Sequence, residues 1–156
     1  MASVKVGDTA PDFKLVNEEG KEISLGEFKG KKNVVLAFYP FDFSPVCTTE
    51  NTCFTNDLPK FEGTDTIVLG ISADSHFTHK AWKDKLGIKH TLLADRNLEA
   101  GKAYGLNTKV DAKKFLGEFD KRATVIVDKK GIVRYVAEHS EARKNDDLLT
   151  EIAKLN

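Results

Sequence analysis

The sequence predicts one α/β domain over residues 1–156, with a central mixed sheet flanked by helices and an N-terminal β-hairpin. Two observations lead to this fold class. Short apolar runs rich in β-branched residues alternate with stretches whose apolar residues recur at helical spacing. Two of the runs are continuously apolar, as expected of strands that are covered on both faces.

The first strands follow from these runs in chain order. Residues 13–16 and 21–24 surround the polar turn 17–20, a pattern that predicts a hairpin. Residues 34–39 and 66–72 are the two continuous runs, and we expect them at the centre of the sheet.

A second hairpin is predicted further along the chain. Residues 123–128 and 132–136 are apolar and flank Lys129-Lys130-Gly131, in which glycine suits a tight turn. Four helices are predicted where apolar residues recur at helical spacing: 48–61, 75–86, 98–104 and 145–155. Strands separated by helices and closed by a hairpin and a last helix indicate an α/β sandwich of thioredoxin type.

Composition excludes several classes of function. The formal net charge is zero and the pI is about 6.9, so no overall field draws the chain to nucleic acid or to acidic membranes. We see no signal peptide, and no apolar run approaches the ~18 residues needed to span a bilayer. Two cysteines are too few for a disulfide scaffold or a cysteine-rich zinc site. A reducing cytoplasm is therefore the expected location.

No cofactor and no metal site is predicted. The glycines do not form a phosphate-binding pattern. His76 and His79 form an H-x2-H pair without a third ligand at a suitable spacing, and we interpret them as part of a solvated helix face. His90 and His139 are isolated in the sequence.

Cys47 is the residue whose surroundings point most directly to chemistry. It lies between the 34–39 strand and the 48–61 helix, with Ser44 three residues before it and Glu50 three residues after it. The first amide groups of a helix are unpaired and favour an anion, which for cysteine is the nucleophilic thiolate. An isolated cysteine here could equally be a small core residue. The adjacent hydroxyl and carboxylate favour a reactive thiol.

The segment Pro40-x3-Ser44-x2-Cys47-Thr48-x-Glu50 resembles the active-site motif of the peroxiredoxins, which are thiol peroxidases with a thioredoxin-like fold. The resemblance covers nearly the whole chain, since three more segments match the family: residues 6–13, 69–74 and 121–131. The segment from Thr78 to Trp82 is most similar to the AhpE-type subgroup, and the bacterioferritin-comigratory-protein or PrxQ type is the next nearest.

The resemblance implies a role for each matching residue. Cys47 would be the peroxidatic nucleophile, oxidised by hydrogen peroxide or an organic hydroperoxide to a sulfenic acid. Ser44 replaces the family's usual threonine and keeps the hydroxyl that bonds peroxide and thiolate. Pro40 would shield the pocket, Arg122 would lie beside the thiolate, and Glu50 would orient that arginine. The family also implies a homodimer formed around the active-site loop.

Cys53 is the second thiol, six residues after Cys47. In the PrxQ type, a resolving cysteine in this helix lies five residues on. Residues six apart in a regular helix have Cα atoms roughly 10 Å apart, whereas a disulfide needs less than about 7 Å. A bond between these cysteines therefore requires the first turns of the helix to unwind.

The role of Cys53 has several interpretations. Its helical stripe is polar, which favours an accessible, resolving thiol and reduction by a thioredoxin-like protein. It could instead be a bystander or an intermolecular partner, which would leave a one-cysteine peroxidase reduced by a low-molecular-weight thiol. For the protein as a whole, a redox sensor or holdase with poor turnover is an alternative to a peroxidase. A dithiol oxidoreductase is disfavoured, because that class uses C-x-x-C and position 50 is Glu50.

Overall fold

The computed structural model describes residues 2–109, 117–142 and 144–155. Its strands are β1 (Lys14–Asn17), β2 (Glu22–Ser24), β3 (Asn33–Phe38), β4 (Thr66–Ser72), β5 (Thr91–Ala94), β6 (Asn107–Lys109), β7 (Glu118–Asp120), β8 (Ala123–Val127) and β9 (Val133–Glu138). Its helices are α1 (Pro45–Glu62), α2 (His76–Leu86), α3 (Glu99–Tyr104) and α4 (Asp146–Ala153). The predicted mixed sheet flanked by helices is confirmed.

The main sheet has seven strands in the order β2-β1-β5-β4-β3-β8-β9, and β6 pairs with β7 in a separate sheet. Strand β3 is central, parallel to β4 and antiparallel to β8. Both predicted hairpins are present as the antiparallel pairs β1/β2 and β8/β9. Every residue of β3 is buried, as its continuous apolar run predicted.

Successive residues of β3 face opposite sides of the sheet. On one side, Val34, Leu36 and Phe38 pack with Tyr104 of α3. On the other side, β3 packs against the apolar stripes of α1 and α4. The side chains in that layer are Val35, Ala37, Phe54, Phe61, Leu148 and Ile152. The sheet is therefore covered on both faces, and α1 is fixed over the strand that leads into it.

Helix α1 begins three residues before its predicted start at Thr48. Pro45 is its first residue. This position suits proline, because its fixed φ is helical and the backbone N–H that proline lacks would have no hydrogen-bond partner within the helix. Proline also disfavours helical backbone in the residue before it, and the N-cap Ser44 is extended, with φ −73° and ψ 151°. Cys47 consequently lies inside the first turn rather than before it.

The three strands β5, β6 and β7 were not predicted. Each has only three or four residues, which is too short for a clear alternation of apolar and polar positions. Strand β5 matters most, since it pairs with both β4 and β1 and so joins the N-terminal hairpin to the sheet.

None of the helices in the described ranges is both long and apolar enough to cross a membrane.

Two carboxyl groups, Asp95 and Asp120, are buried beside each other under α3. Asp95 accepts the amide protons of Ala100 at 3.0 Å and Gly101 at 2.8 Å. Glycine is required at 101, because a Cβ there would lie 2.0 Å from Asp120 Oδ1. Burial and the neighbouring Asp95 raise the pKa of Asp120 to about 10, so Asp120 is protonated at neutral pH.

Asp120 should make the protein less stable as the pH rises. Its pKa is about 10 in the folded chain and about 4 in the unfolded chain. Its contribution to stability is complete below the lower value and is lost progressively toward the higher one. Asp120→Asn carries no titratable group at this position. We therefore expect the fall in Tm between about pH 6 and about pH 9 to be smaller in this variant than in the wild type, by about 5 °C or more.

Thermal unfolding at several pH values measures this effect. Asp146→Asn, a change at an exposed carboxyl in the first turn of α4, is the matched control and should keep the wild-type pH dependence. Equal pH dependence in wild type and Asp120→Asn would contradict the protonated state of Asp120.

Candidate active site

Cys47 is fully buried in the first turn of α1. Its side chain belongs to a compact cluster with Tyr39 after β3, Trp82 of α2, Ile88 and Leu92 of β5. The turn from β3 into α1 thus holds the thiol at a helix N-terminus, where unpaired amides favour negative charge. Cys47 thus lies within the first turn of α1 and not, as predicted, in the turn before the helix.

Arg122 lies against Cys47, although 75 residues separate them in the sequence. It directly precedes β8, whose first residue Ala123 pairs with Phe38 at the end of β3. Its Nη2 donates to Cys47 Sγ at 3.0 Å, and its Nη1 donates to Glu50 Oε1 at 3.3 Å. The side chains of Arg122 and Glu50 are only 9% and 4% exposed. A charged donor this close, and shielded from water, stabilises negative charge on the sulfur.

His139 joins this group and was missed by the sequence analysis, which treated it as isolated. Its Nδ1 lies 3.6 Å from Glu50 Oε2 and 2.7 Å from the carbonyl oxygen of Glu141. Its Nε2 lies 3.3 Å from Thr124 Oγ1. The predicted β8/β9 hairpin could have located His139, because its register places residue 139 opposite Arg122. In the structure the His139 amide donates to the Arg122 carbonyl at 3.0 Å.

The hydroxyl of Ser44 is engaged within the loop. Ser44 Oγ donates to the carbonyl oxygen of Phe41 at 2.9 Å. Within the described part of the chain, no hydrogen bond joins Ser44 to Cys47. The structure therefore shows Ser44 as the N-cap that closes the turn before α1.

Pro40 lines an open cleft of about 490 Å³ that leads to the exposed edge of Arg122. His139 and Phe119 also line the cleft, and Phe119 packs on Phe41 with ring centroids 4.8 Å apart. The cleft is lined by two apolar side chains, Pro40 and Phe119, and otherwise by polar or charged ones, among them Arg122, which contacts the buried thiol.

The loop between β3 and α1 is anchored by a buried network, which corrects the interpretation of His79 as solvated. His79 is fully buried, and its Nδ1 lies 2.6 Å from Asp42 Oδ2. Its Nε2 donates to the Leu93 carbonyl at 3.0 Å. Tyr39 donates to the other oxygen of Asp42 at 2.5 Å, and the Asp42 amide donates to Asp74 at 2.9 Å. Burial raises the pKa of Asp42, while the bond from His79 opposes that rise.

Asp42, Asp74 and His79 each bring one potential ligand atom within 4.8 Å of the others. Both ring nitrogens of His79 are already committed to hydrogen bonds, and the short contact to Asp42 holds a proton between the two groups. The polar atoms therefore satisfy one another, and the cluster is a structural anchor for the loop.

Cys53 is partly exposed on α1, as its polar stripe predicted, and Asn56 and Lys60 on that stripe are exposed. Both cysteines are free thiols. Because α1 is continuous from Pro45 to Glu62, helix geometry keeps the Cα atoms of Cys47 and Cys53 roughly 10 Å apart.

The chain matches the family model described as the AhpC/TSA family over residues 6–136. It is 37% identical to peroxiredoxin Q of Suaeda salsa, a chloroplast protein, over 87% of this chain and 61% of that protein. The chain thus spans about three fifths of that relative's length. It is also 37% identical to the putative peroxiredoxin bcp of Coxiella burnetii, over 86% of this chain and 88% of that protein.

Among solved structures, the chain is similar to a reduced 2-Cys peroxiredoxin of Plasmodium vivax. The TM-score is 0.83 and the sequence identity is 35%, over 97% of this chain and 96% of that chain.

The network around Asp42 generates a stability prediction. His79→Leu removes the partner of a buried carboxyl, so we expect it to lower the free energy of unfolding by about 2–4 kcal/mol. His76→Leu, the same change three residues earlier on α2 at a partly exposed position, should shift it by about 0.5 kcal/mol or less. Urea unfolding measures the free energy of unfolding of both variants. Equal losses in the two would contradict the role of the Asp42 network in anchoring the loop.

Proposed function

The chain belongs to the AhpC/TSA family and is a peroxiredoxin, and from that premise we propose that it is a thiol peroxidase for hydrogen peroxide and organic hydroperoxides. The observation that carries the proposal is the 3.0 Å hydrogen bond from Arg122 to the sulfur of Cys47 at the start of α1. A buried thiol with a charged donor at a helix N-terminus is suited to attack an electrophile.

In the first step, the Cys47 thiolate attacks the terminal oxygen of the hydroperoxide. An S–O bond forms, the O–O bond breaks, and the departing oxygen takes up a proton and leaves as water or an alcohol. The sulfur is oxidised to a sulfenic acid and the peroxide is reduced. Arg122 and the unpaired amides at the start of α1 can stabilise the charge that develops on the two oxygens.

Ionisation of the thiol alone supplies little of the rate. A reference thiol with a pKa of about 8.5 is already roughly a tenth ionised near pH 7.5, so full ionisation gains about tenfold, or ~1.4 kcal/mol. A larger acceleration must come from holding the peroxide in line and from stabilising the leaving oxygen. Arg122 is placed for both, since it contacts the sulfur and faces the cleft.

In the second step, the thiolate of Cys53 attacks the sulfur of the Cys47 sulfenic acid. The S–S bond forms as the S–O bond breaks, and the hydroxyl leaves as water with the proton of the Cys53 thiol. The partial exposure of Cys53 supports this role. The first turns of α1 must unwind before the two sulfurs can meet.

We further propose a reducing, cytoplasm-like setting and a thioredoxin-like protein that reduces this disulfide. If Cys53 does not resolve, a low-molecular-weight thiol would reduce the sulfenic acid. A homodimer around the active-site loop is supported by two exposed apolar side chains, Phe43 in the loop and Val46 at the start of α1, which are 50% and 37% exposed. A monomer in light scattering at micromolar concentration would contradict the dimer.

Intact mass after one equivalent of hydrogen peroxide tests the two steps together. We expect the wild type to lose two hydrogen atoms, Cys53→Ser to gain one oxygen as a trappable sulfenic acid, and Cys47→Ser to remain unchanged. A sulfenic acid in the wild type would indicate a one-cysteine peroxidase. If Cys47 is oxidised in neither the wild type nor Cys53→Ser, the proposed peroxidase activity is contradicted.

A second prediction concerns Arg122. We expect Arg122→Ala to slow oxidation of Cys47 by peroxide by about 100-fold or more, beyond the ~10-fold that thiolate loss can explain. Stopped-flow kinetics gives the rate, and ultraviolet absorbance of the thiolate gives the ionised fraction in the same sample. Arg134→Ala, at a partly exposed arginine of β9, is the matched control. A loss accounted for entirely by thiolate fraction would contradict the positioning role.

A further inference from the structure

Asn51 and His90 are two buried polar side chains that the proposed chemistry does not use. They are 1% and 3% exposed. His90 Nε2 lies 2.9 Å from Asn51 Oδ1, and Asn51 Nδ2 donates to the carbonyl oxygen of Cys47 at 2.9 Å. A buried side chain thus connects the backbone of the peroxidatic residue to the segment just before β5.

The hydrogen bonds in this group have only one consistent direction. Because Asn51 donates through Nδ2, its Oδ1 must accept, and His90 Nε2 therefore carries the proton. His90 Nδ1 is then an acceptor for the hydroxyl of Thr55, 3.4 Å away, and Thr55 Oγ1 accepts from the Lys89 amide at 3.3 Å. Burial and the charge of Lys83 lower the pKa of His90 to about 3, so the imidazole is neutral and its Nδ1 is left to accept from Thr55.

The three α1 residues in this group lie on one stripe of the helix. Cys47, Asn51 and Thr55 are spaced four apart, so they stack along the side that faces β4 and β5. Gly70 of β4 lies beside this amide, since a Cβ there would be in ordinary contact with Asn51 Oδ1 at 3.4 Å. His90 therefore fastens the first two turns of α1 to the sheet.

Resolution by Cys53 requires these same turns to unwind, because Asn51 lies between the two cysteines. We propose that the Asn51–His90 hydrogen bond is a latch that keeps the start of α1 wound and thereby sets the rate at which Cys53 reaches oxidised Cys47. This inference rests on the proposed function for its second half, the disulfide step. Breaking the latch should favour the unwound helix, speed disulfide formation and reduce further oxidation of the sulfenic acid at high peroxide.

The test replaces both partners by apolar groups of similar shape, Asn51→Leu with His90→Phe, so that no buried polar group is left unpaired. Thr55→Val, an isosteric change at a partly exposed position, weakens the group without threatening the fold. Asn56→Leu makes the same chemical change at an exposed site on α1 and is the matched control.

Two rates are measured in each variant. The double variant loses the bonds of Asn51 to His90 and to the Cys47 carbonyl, and the contact of His90 with Thr55. Amide hydrogen exchange of residues 47–53 in the reduced protein should therefore be roughly three- to tenfold faster in it, with a smaller increase in Thr55→Val. Amides of β3 should keep their wild-type protection, and Asn56→Leu should match the wild type throughout. Disulfide formation after peroxide, followed by rapid alkylation and intact mass, should accelerate in parallel.

The latch would be overturned if amide exchange of residues 47–53 is unchanged in both the double variant and Thr55→Val. It would also be overturned if amide exchange in β3 increases as much as exchange at residues 47–53. Faster exchange without faster disulfide formation would overturn its control of resolution. The exchange measurement needs no peroxide, so it decides the latch even if Cys47 fails to react. That failure would contradict the proposed function separately.

Discussion

The site depends on one interaction, the hydrogen bond from the Arg122 guanidinium to the buried sulfur of Cys47. It brings together two strands and a helix N-terminus, since Arg122 precedes β8 and Cys47 follows β3, its neighbour in the sheet. Glu50, one helical turn beyond Cys47, holds the same guanidinium and is contacted by His139. The pairing of β3 with β8 is therefore a requirement of the chemistry as well as of the fold.

The same helix start serves two opposed needs. Wound, it presents unpaired amides to the thiol and keeps Glu50 on Arg122, an arrangement that suits the proposed attack on peroxide. Unwound, it would let Cys53 approach, but the groups around Cys47 would disperse. In the proposed cycle, the stability of these few residues would set how quickly oxidised Cys47 is resolved. The buried Asn51 and His90 act on the wound state, while the Asp42 network holds the preceding loop in place.

The sequence predicted the elements whose signals are local. Apolar runs located β3, β4 and both hairpins, and spacing alone placed Glu50 one turn from Cys47. Arg122 was found only through the family resemblance, because its partner is distant in sequence and its own surroundings suggest a solvated residue. His139 and His79 were misjudged for a related reason. The register of β8 and β9 brings His139 to Glu50, and His79 is buried against Asp42 of the loop. No periodicity along the chain reveals either contact.

The most direct test uses Trp82, the chain's single tryptophan, which is buried in the same cluster as Cys47. Reduced protein is mixed with increasing hydrogen peroxide in a stopped-flow fluorimeter. We expect a first phase whose rate rises linearly with peroxide, and this phase should be absent in Cys47→Ser. A second phase, with a rate independent of peroxide, should follow and should be absent in Cys53→Ser. A first phase that survives Cys47→Ser, or no dependence on peroxide at all, would contradict the proposed reaction of Cys47 with peroxide.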